Sequence, residues 1–288
     1  MKAALHIPRF NYGTSDSDIS ENLKNIVQKA EEVGFERLSV MDHYFQIQGV
    51  GEYKDPMMEA YTTLGFIAAN TKKIKIGTLV TGVTYRNPAF LVKQVTALDV
   101  LSQGRAFLGI GAAWNEQESL ALGFNFPPIK ERFERLEETL QIVKKMWSGD
   151  STPYKGEYYS LQEPFNSPQV LTKPHPEILI GGSGEQKTLK LVAKYADSCN
   201  LFAAEQDIIK HKLEVLKNHC DDLGRDYSSI HKTALARIDL SNLNKFVEDA
   251  KILSELGIDE MFFMVPEAEK LNNLEKIGEK VIVKISEQ

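Results

Sequence analysis

Asp42 and His43 are the first pair in the chain that could do acid–base chemistry. They follow the apolar run Leu38-Ser39-Val40-Met41, which reads as a buried strand. An imidazole titrates near neutrality and can take or give a proton, and a carboxylate beside it can orient it or contact a ligand. The same two residues would also serve as plain caps of the next segment. Three further stretches end strand-like runs. Gly77-Thr78-Leu79-Val80-Thr81 leads through Arg86-Asn87-Pro88 into a helix with proline in its first turn. Glycine with the hydroxyls of Thr78 and Thr81 suits a flat ring laid against backbone, although an ordinary strand exit carries the same residues. Gly109-Ile110-Gly111-Ala112-Ala113-Trp114-Asn115-Glu116 offers two glycines where a ligand could approach the main chain. It lacks the third glycine of a dinucleotide fingerprint.

The strongest local signal is Ile180-Gly181-Gly182-Ser183-Gly184-Glu185. An apolar strand reads into a glycine turn and then directly into a helix carrying Leu189, Val192 and Ala193. Free amides at a helix start bind anions, and the Ser183 hydroxyl can add a bond, so a phosphate is the expected ligand. No GK[ST] follows, which excludes a nucleotide-triphosphate loop. A flexible strand–helix turn is the plainer reading.

Other chemistries find no support. The motifs HExxH, DxDxDG and GxSxG are missing, and His211 and His219 share an amphipathic helix with no third ligand near, so no metal is expected. Glu137 and Glu138 read as solvated helix residues. Cys199 and Cys220 have no zinc-ligand spacing and suggest a reducing compartment. The opening MKAALHIPRF is too short for a signal-peptide core, and no apolar run nears the roughly 20 residues of a membrane span. A cytoplasmic protein is expected. The net charge of −6 argues against nucleic acid, whose phosphates want a basic face.

The elements that must position these residues alternate from end to end. Strand-like runs fall near Lys2–Ile7, Arg37–Met41, Ile74–Val80, Arg105–Ile110, Glu177–Ile180, Ser198–Phe202, His231–Ile238 and Glu260–Val265. Each precedes a helical pattern. In the first helix Leu23, Ile26, Ala30 and Val33 recur at 3,4,3 spacing, with Ser20 as the expected cap and Gly34 as the stop. Phe133, Leu136, Leu140, Val143 and Trp147 form the cleanest stripe. Leu243, Phe246, Ala250, Leu253 and Leu256 repeat it before Gly257. Such alternation calls for a parallel sheet with helical crossovers. Eight units in 288 residues favour closure into a single (β/α)8 TIM barrel, which typically needs about 250. An open doubly wound sheet would carry an early glycine-rich loop, but the first turn is Pro8-Arg9-Phe10-Asn11. Residues 1–288 thus read as one domain, with Ser151–Pro176 as an insertion before strand five.

In combination the motifs resemble the bacterial luciferase-like superfamily, and within it the coenzyme F420 (deazaflavin)-dependent oxidoreductases. The resemblance rests on Asp42-His43, on GTLVTGVTYRNPAFLVKQVTALDVLSQGRAFLGIGAAWNEQE from Gly77, on PPIKERFERLEETLQIVKKMW from Pro127, and on ILIGGSGEQKTLKLVAKYAD from Ile178. It implies a barrel whose insertion acts as a partial lid. The cofactor ring would lie in the mouth against Thr78, Leu79 and Thr81, with a non-prolyl cis peptide expected at Thr78–Leu79. Gly111, Ala112 and Asn115 match cofactor-contacting positions. Gly181, Gly182 and Ser183 match the phosphate turn, His43 a residue beside the reactive ring carbon, and Asp42 its neighbour. Relatives commonly read Gly-Ala-Gly-Trp-Asn where this chain has Ala113. The loop that carries a glutamate in the sugar-phosphate-oxidising members is shorter here, which counts against a glucose-6-phosphate-type activity. The implied reaction is hydride transfer between the deazaflavin C5 and a small organic substrate, in a homodimer. An FMN-dependent monooxygenase and a non-catalytic flavin-binding protein are the alternatives.

Overall fold

Alternation in the sequence becomes alternation in space. A computed structural model describes residues 1–287. The strands are β1 (Lys2–Ile7), β2 (Arg37–Val40), β3 (Lys75–Thr78), β4 (Thr81–Gly82), β5 (Ala106–Gly111), β6 (Tyr154–Lys155), β7 (Ser160–Leu161), β8 (Glu177–Gly181), β9 (Ser198–Phe202), β10 (His231–Arg237) and β11 (Glu260–Met264). The helices are α1 (Ile19–Glu32), α2 (Ala60–Asn70), α3 (Pro88–Leu101), α4 (Glu116–Ala121), α5 (Ile129–Trp147), α6 (Thr188–Tyr195), α7 (Gln206–Leu223), α8 (Leu243–Glu255), α9 (Leu271–Ile277) and α10 (Val283–Ser286). Strands β3, β2, β1, β11, β10, β9, β8 and β5 are hydrogen-bonded in that order. The β3–β5 pairing closes the ring, and every pair within it is parallel. β4 resumes the β3 position after a break and pairs with β5. The fold is therefore a closed barrel of eight parallel strands.

β2 and β5 are buried at every residue, and apart from Arg37 at the start of β2 they carry only apolar or small side chains, as strands covered on both faces do. The main core lies between strands and helices. A smaller cluster of Ala4, Leu79, Phe107, Leu179 and Phe262 fills the barrel interior beneath the mouth. The opposite, N-terminal end is closed by charge. Arg37 reaches Glu177 at 2.7 Å and Glu260 at 2.8 Å, and His231 lies 3.1 Å from Glu260. That leaves the C-terminal strand ends for chemistry, as in other barrels of this kind.

Three expectations are corrected. Ser20 does not cap the first helix. A 3-10 turn at Asp16–Asp18, capped by Ser15, runs straight into α1, so Ser20 already lies inside the first turn. Gly34 and Gly257 do end their helices, both at φ near 102° in the left-handed region glycine tolerates. The segment 151–176, expected as a partial lid, packs along α3 and α5 and lends no residue to the mouth. Its backbone finds acceptors there. Glu138 takes the amides of Glu157 at 2.7 Å and Tyr159 at 3.0 Å, while Asp99 takes those of Leu171 at 2.7 Å and Thr172 at 3.0 Å. Glu138 is thus a clamp rather than a solvated side chain. Glu137 is likewise engaged, with Lys194 at 2.7 Å and Tyr195 at 2.9 Å. Among the described residues no helix is long and apolar enough to cross a membrane.

Candidate active site

The break between β3 and β4 shapes the mouth. The Leu79 amide still donates to Val40 O at 3.0 Å, so the ladder runs one residue past Thr78. The non-prolyl cis peptide accordingly joins Leu79 to Val80, one bond later than the resemblance implied. Thr78 does not reach the cavity. Its hydroxyl is buried against Gly109 O at 2.8 Å and Thr81 Oγ1 at 2.8 Å, and Thr81 in turn meets Tyr61 OH at 2.8 Å. Thr81 and Leu79 do line the cavity. The glycines of neighbouring strands make room for this excursion. A Cβ on Gly109 would run into the Thr78 carbonyl. One on Gly111 would come within 3.0 Å of Val80 Cγ2, and one on Gly181 within 2.7 Å of Val80 Cγ1. These glycines therefore serve the chain's own packing before they serve any ligand.

The resulting cavity holds about 520 Å³, within the ordinary range for a small-molecule site. Leu79–Gly82, Gly111–Ala113 and Gly181–Gly182 form one side, where main chain and small residues dominate. His6, Asn200, Leu235 and Met264 face them from β1, β9, β10 and β11. Ala113 adopts φ near 58°, a left-handed conformation that favours glycine. A glycine would take this conformation without the strain that the Ala113 Cβ brings. Arg132 steadies the turn by donating to the carbonyls of Ala112, at 3.3 Å, and Ala113.

Asn115 was expected at the cofactor. Its side chain instead accepts the Glu118 amide at 3.1 Å and caps α4. This turns Glu118 inward, the residue sequence reasoning missed. Glu118 is fully buried and gathers four donors. They are His43 Nδ1 at 2.8 Å, Tyr85 OH at 2.7 Å, the Phe45 amide at 2.8 Å and the Tyr44 amide. Burial alone would raise this carboxyl, but the bonds from His43, Tyr85 and Phe45 outweigh it and hold it below the usual carboxylate range. An ionised carboxylate can only accept, so His43 carries its proton on Nδ1 and keeps Nε2 for exchange with a ligand. Trp114 meets the imidazole edge-on at 5.4 Å. The spacing Asn115-x-x-Glu118 was a signal, since it matches a capping box. A capping box would have sent the glutamate back to its own helix start, however.

Asp42 lies in the cavity wall, but its carboxylate makes no hydrogen bond to the His43 imidazole. Its carboxylate accepts Arg86 twice, at 2.6 and 2.8 Å, and the Gly82 amide at 3.1 Å. Arg86 also reaches Glu59 at 2.7 Å and lies over the Tyr61 ring at 4.9 Å. Burial opposes the Arg86 charge, yet Asp42 more than compensates and its pKa is raised. Asp42 thus ties the end of β2 to the β4 turn, and Glu118 orients the histidine. His6 is a second imidazole in the wall. Burial, reinforced by His43, lowers it to about 3, so it is neutral at physiological pH and pairs with Ser39 Oγ at 2.8 Å.

Gly181 and Gly182 line the cavity, with the Gly182 amide on Asn200 O at 3.1 Å and φ near 118°. Ser183 is half-buried at the rim and outside the cavity wall. The helix does not follow directly, because a turn at residues 185–187 intervenes before α6. Among the described residues the Ser183 and Gly184 amides make no backbone hydrogen bond. Thr188, the first residue of α6, reaches the cavity instead. The turn is held by α7. His211 meets Glu185 at 3.2 Å, Lys212 pairs with the same carboxylate, and His219 Nε2 donates to Glu185 O at 2.8 Å. The two histidines set aside above therefore brace the glycine turn.

A family model described as luciferase-like monooxygenase matches residues 1–263. The chain belongs to the luciferase-like monooxygenase family. Among its relatives, an F420-dependent glucose-6-phosphate dehydrogenase of Amycolatopsis mediterranei is 33% identical over 171 residues, 58% of this chain and 48% of that protein. One of Segniliparus rotundus is 31% identical over 215 residues, 70% of this chain and 60% of the relative. The chain thus spans about half to three-fifths of the length of these relatives. Two solved structures superpose over nearly their whole length. An F420-dependent secondary alcohol dehydrogenase has a TM-score of 0.83 at 17% identity, covering 99% of this chain and 98% of that one. The F420-dependent tetrahydromethanopterin reductase of Methanopyrus kandleri has 0.80 at 15%, covering 99% of each. At these identities the likeness speaks for the fold.

Proposed function

We propose that the protein is a coenzyme F420-dependent oxidoreductase acting on a small organic substrate. The observation that carries this reading is His43, held by a buried ionised carboxylate and facing a cavity whose other side is largely backbone. A flat ring needs such a side, and the F420-dependent relatives support the choice of ring. When bound, the deazaflavin supplies two-electron hydride exchange at its C5 carbon. Leu79–Gly82, Gly111–Ala112 and Gly181–Gly182 would hold the ring. The free amides of Ser183 and Gly184, with the Thr188 hydroxyl, would take the phosphate. His43 Nε2 moves the proton that must accompany the hydride at a substrate oxygen, and Glu118 fixes the tautomer that makes this possible. Asp42 and Arg86 keep the turn beside it in place.

Replacing His43 by alanine tests the assignment. Turnover of a substrate found by screening with the cofactor should fall by roughly 10²–10⁴, the usual contribution of a positioned acid or base. Affinity for F420 should change little. Unchanged turnover would remove His43 from the mechanism.

A further inference from the structure

The mouth has two unlike halves. Leu79 and Val80, with strands β4, β5 and β8 and the turn after β5, contribute mostly main chain and small residues. Strands β9, β10 and β11 contribute Phe202, Leu235, Arg237 and Met264. Arg237 is the last residue of β10 and the one arginine in the cavity wall. The only acidic residue in that wall is Asp42, already spent on Arg86. Among the described residues no carboxylate forms an ion pair with Arg237. Its single hydrogen bond runs from Nη2 to Gly49 O at 2.6 Å, across the mouth to the loop that follows β2. That bond fixes the side chain while using one of its five N–H donors.

We propose that Arg237 binds an anionic oxygen group of the substrate, so that this half of the mouth takes a small molecule with an apolar body and a carboxylate or phosphate at one end. The proposal rests on the oxidoreductase reading only in calling that molecule the substrate. A planar guanidinium offers paired donors to either anion. Arg237 is exposed, so its pull on an anion is screened by salt, and its neighbours Phe202, Leu235 and Met264 give the body of the ligand an apolar surface to cover. Arg237 stands across β9 from the glycine turn of β8, so a ligand there is separate from the phosphate at Gly182–Gly184.

Calorimetric titration of the full chain with hexanoate, hexyl phosphate and hexan-1-ol, with and without F420, tests this. At least one anion should bind about tenfold or more tightly than the alcohol, an advantage that falls as salt rises. Which anion binds better names the group. Arg237→Gln keeps a donor for Gly49 O but has no charge, and should erase the advantage while leaving hexan-1-ol binding and F420 affinity unchanged. Arg237→Lys should retain part of it. Anions that bind no better than the alcohol, or a Gln variant that keeps their advantage, would overturn the proposal. So would a Gln variant that loses F420 affinity, because Arg237 would then belong to the cofactor. Should the protein bind no F420 at all, the oxidoreductase reading fails, yet the titrations without cofactor still decide the anion site.

Discussion

Glu118→Ala is expected to destabilise the fold by about 5 kcal/mol and to lower turnover at least a hundredfold. Four buried donors converge on this one carboxylate, and each left without an acceptor costs roughly 1–3 kcal/mol. Water entering the vacated space recovers part, which places the sum at the lower end. Glu118→Gln separates stability from chemistry. Its oxygen can still accept the Tyr44 and Phe45 amides, but its NH2 would face His43 and Tyr85. The imidazole must then accept at Nδ1 and carry its proton on Nε2, the wrong tautomer for a base. Near-normal unfolding with turnover down about a hundredfold or more is the expected result. The two proteins should also differ with pH. The folded Glu118 carboxyl lies below its ordinary 4.5, so in acid the unfolded chain takes up the proton first. The stability it confers is complete above about 4.5 and drains away as pH falls through the folded value. Urea unfolding between pH 3 and 7 should show a steeper acid loss for the wild type than for Glu118→Gln.

Arg86→Met should cost about 3–5 kcal/mol, because it strands Asp42 as a buried charge with only the Gly82 amide for support. For a domain of this size that corresponds to a melting temperature lower by roughly 10 °C. Adding Asp42→Asn should recover a large part of the loss, since a neutral amide tolerates that position far better than an unpaired carboxylate. Thermal unfolding of the two single variants and the double variant measures this directly. A single variant that melts within about 2 °C of the wild type would show that the pair does not tie β2 to the β4 turn.

The barrel was legible because strand and helix periodicities are local, and burial on both faces forces apolar runs such as Leu38–Met41. The strand ends that line the mouth were legible for the same reason, and the glycines of β5 and β8 marked where main chain would be exposed. What stayed hidden depends on partners far away in the chain. Glu118 looks like an ordinary acid in a first helical turn, and only the fold brings it to His43, 75 positions earlier. Arg86 looked like part of a turn until Asp42 came within 2.6 Å. His6 merely broke an apolar run, yet as the penultimate residue of β1 it lies in the wall of the site. The role of segment 151–176 was unreadable because its composition fits equally a lid over the mouth or a strap on the outer helices. Glu138 and Asp99 decide for the strap.

The central claim is that the backbone-lined side of this mouth is built for a deazaflavin. Equilibrium titration of the purified chain with F420 and, separately, FMN tests it most directly, read by the change in cofactor absorbance or fluorescence. The account predicts saturable one-to-one binding of F420, with FMN at least tenfold weaker. Tight FMN binding with no measurable affinity for F420 would contradict it.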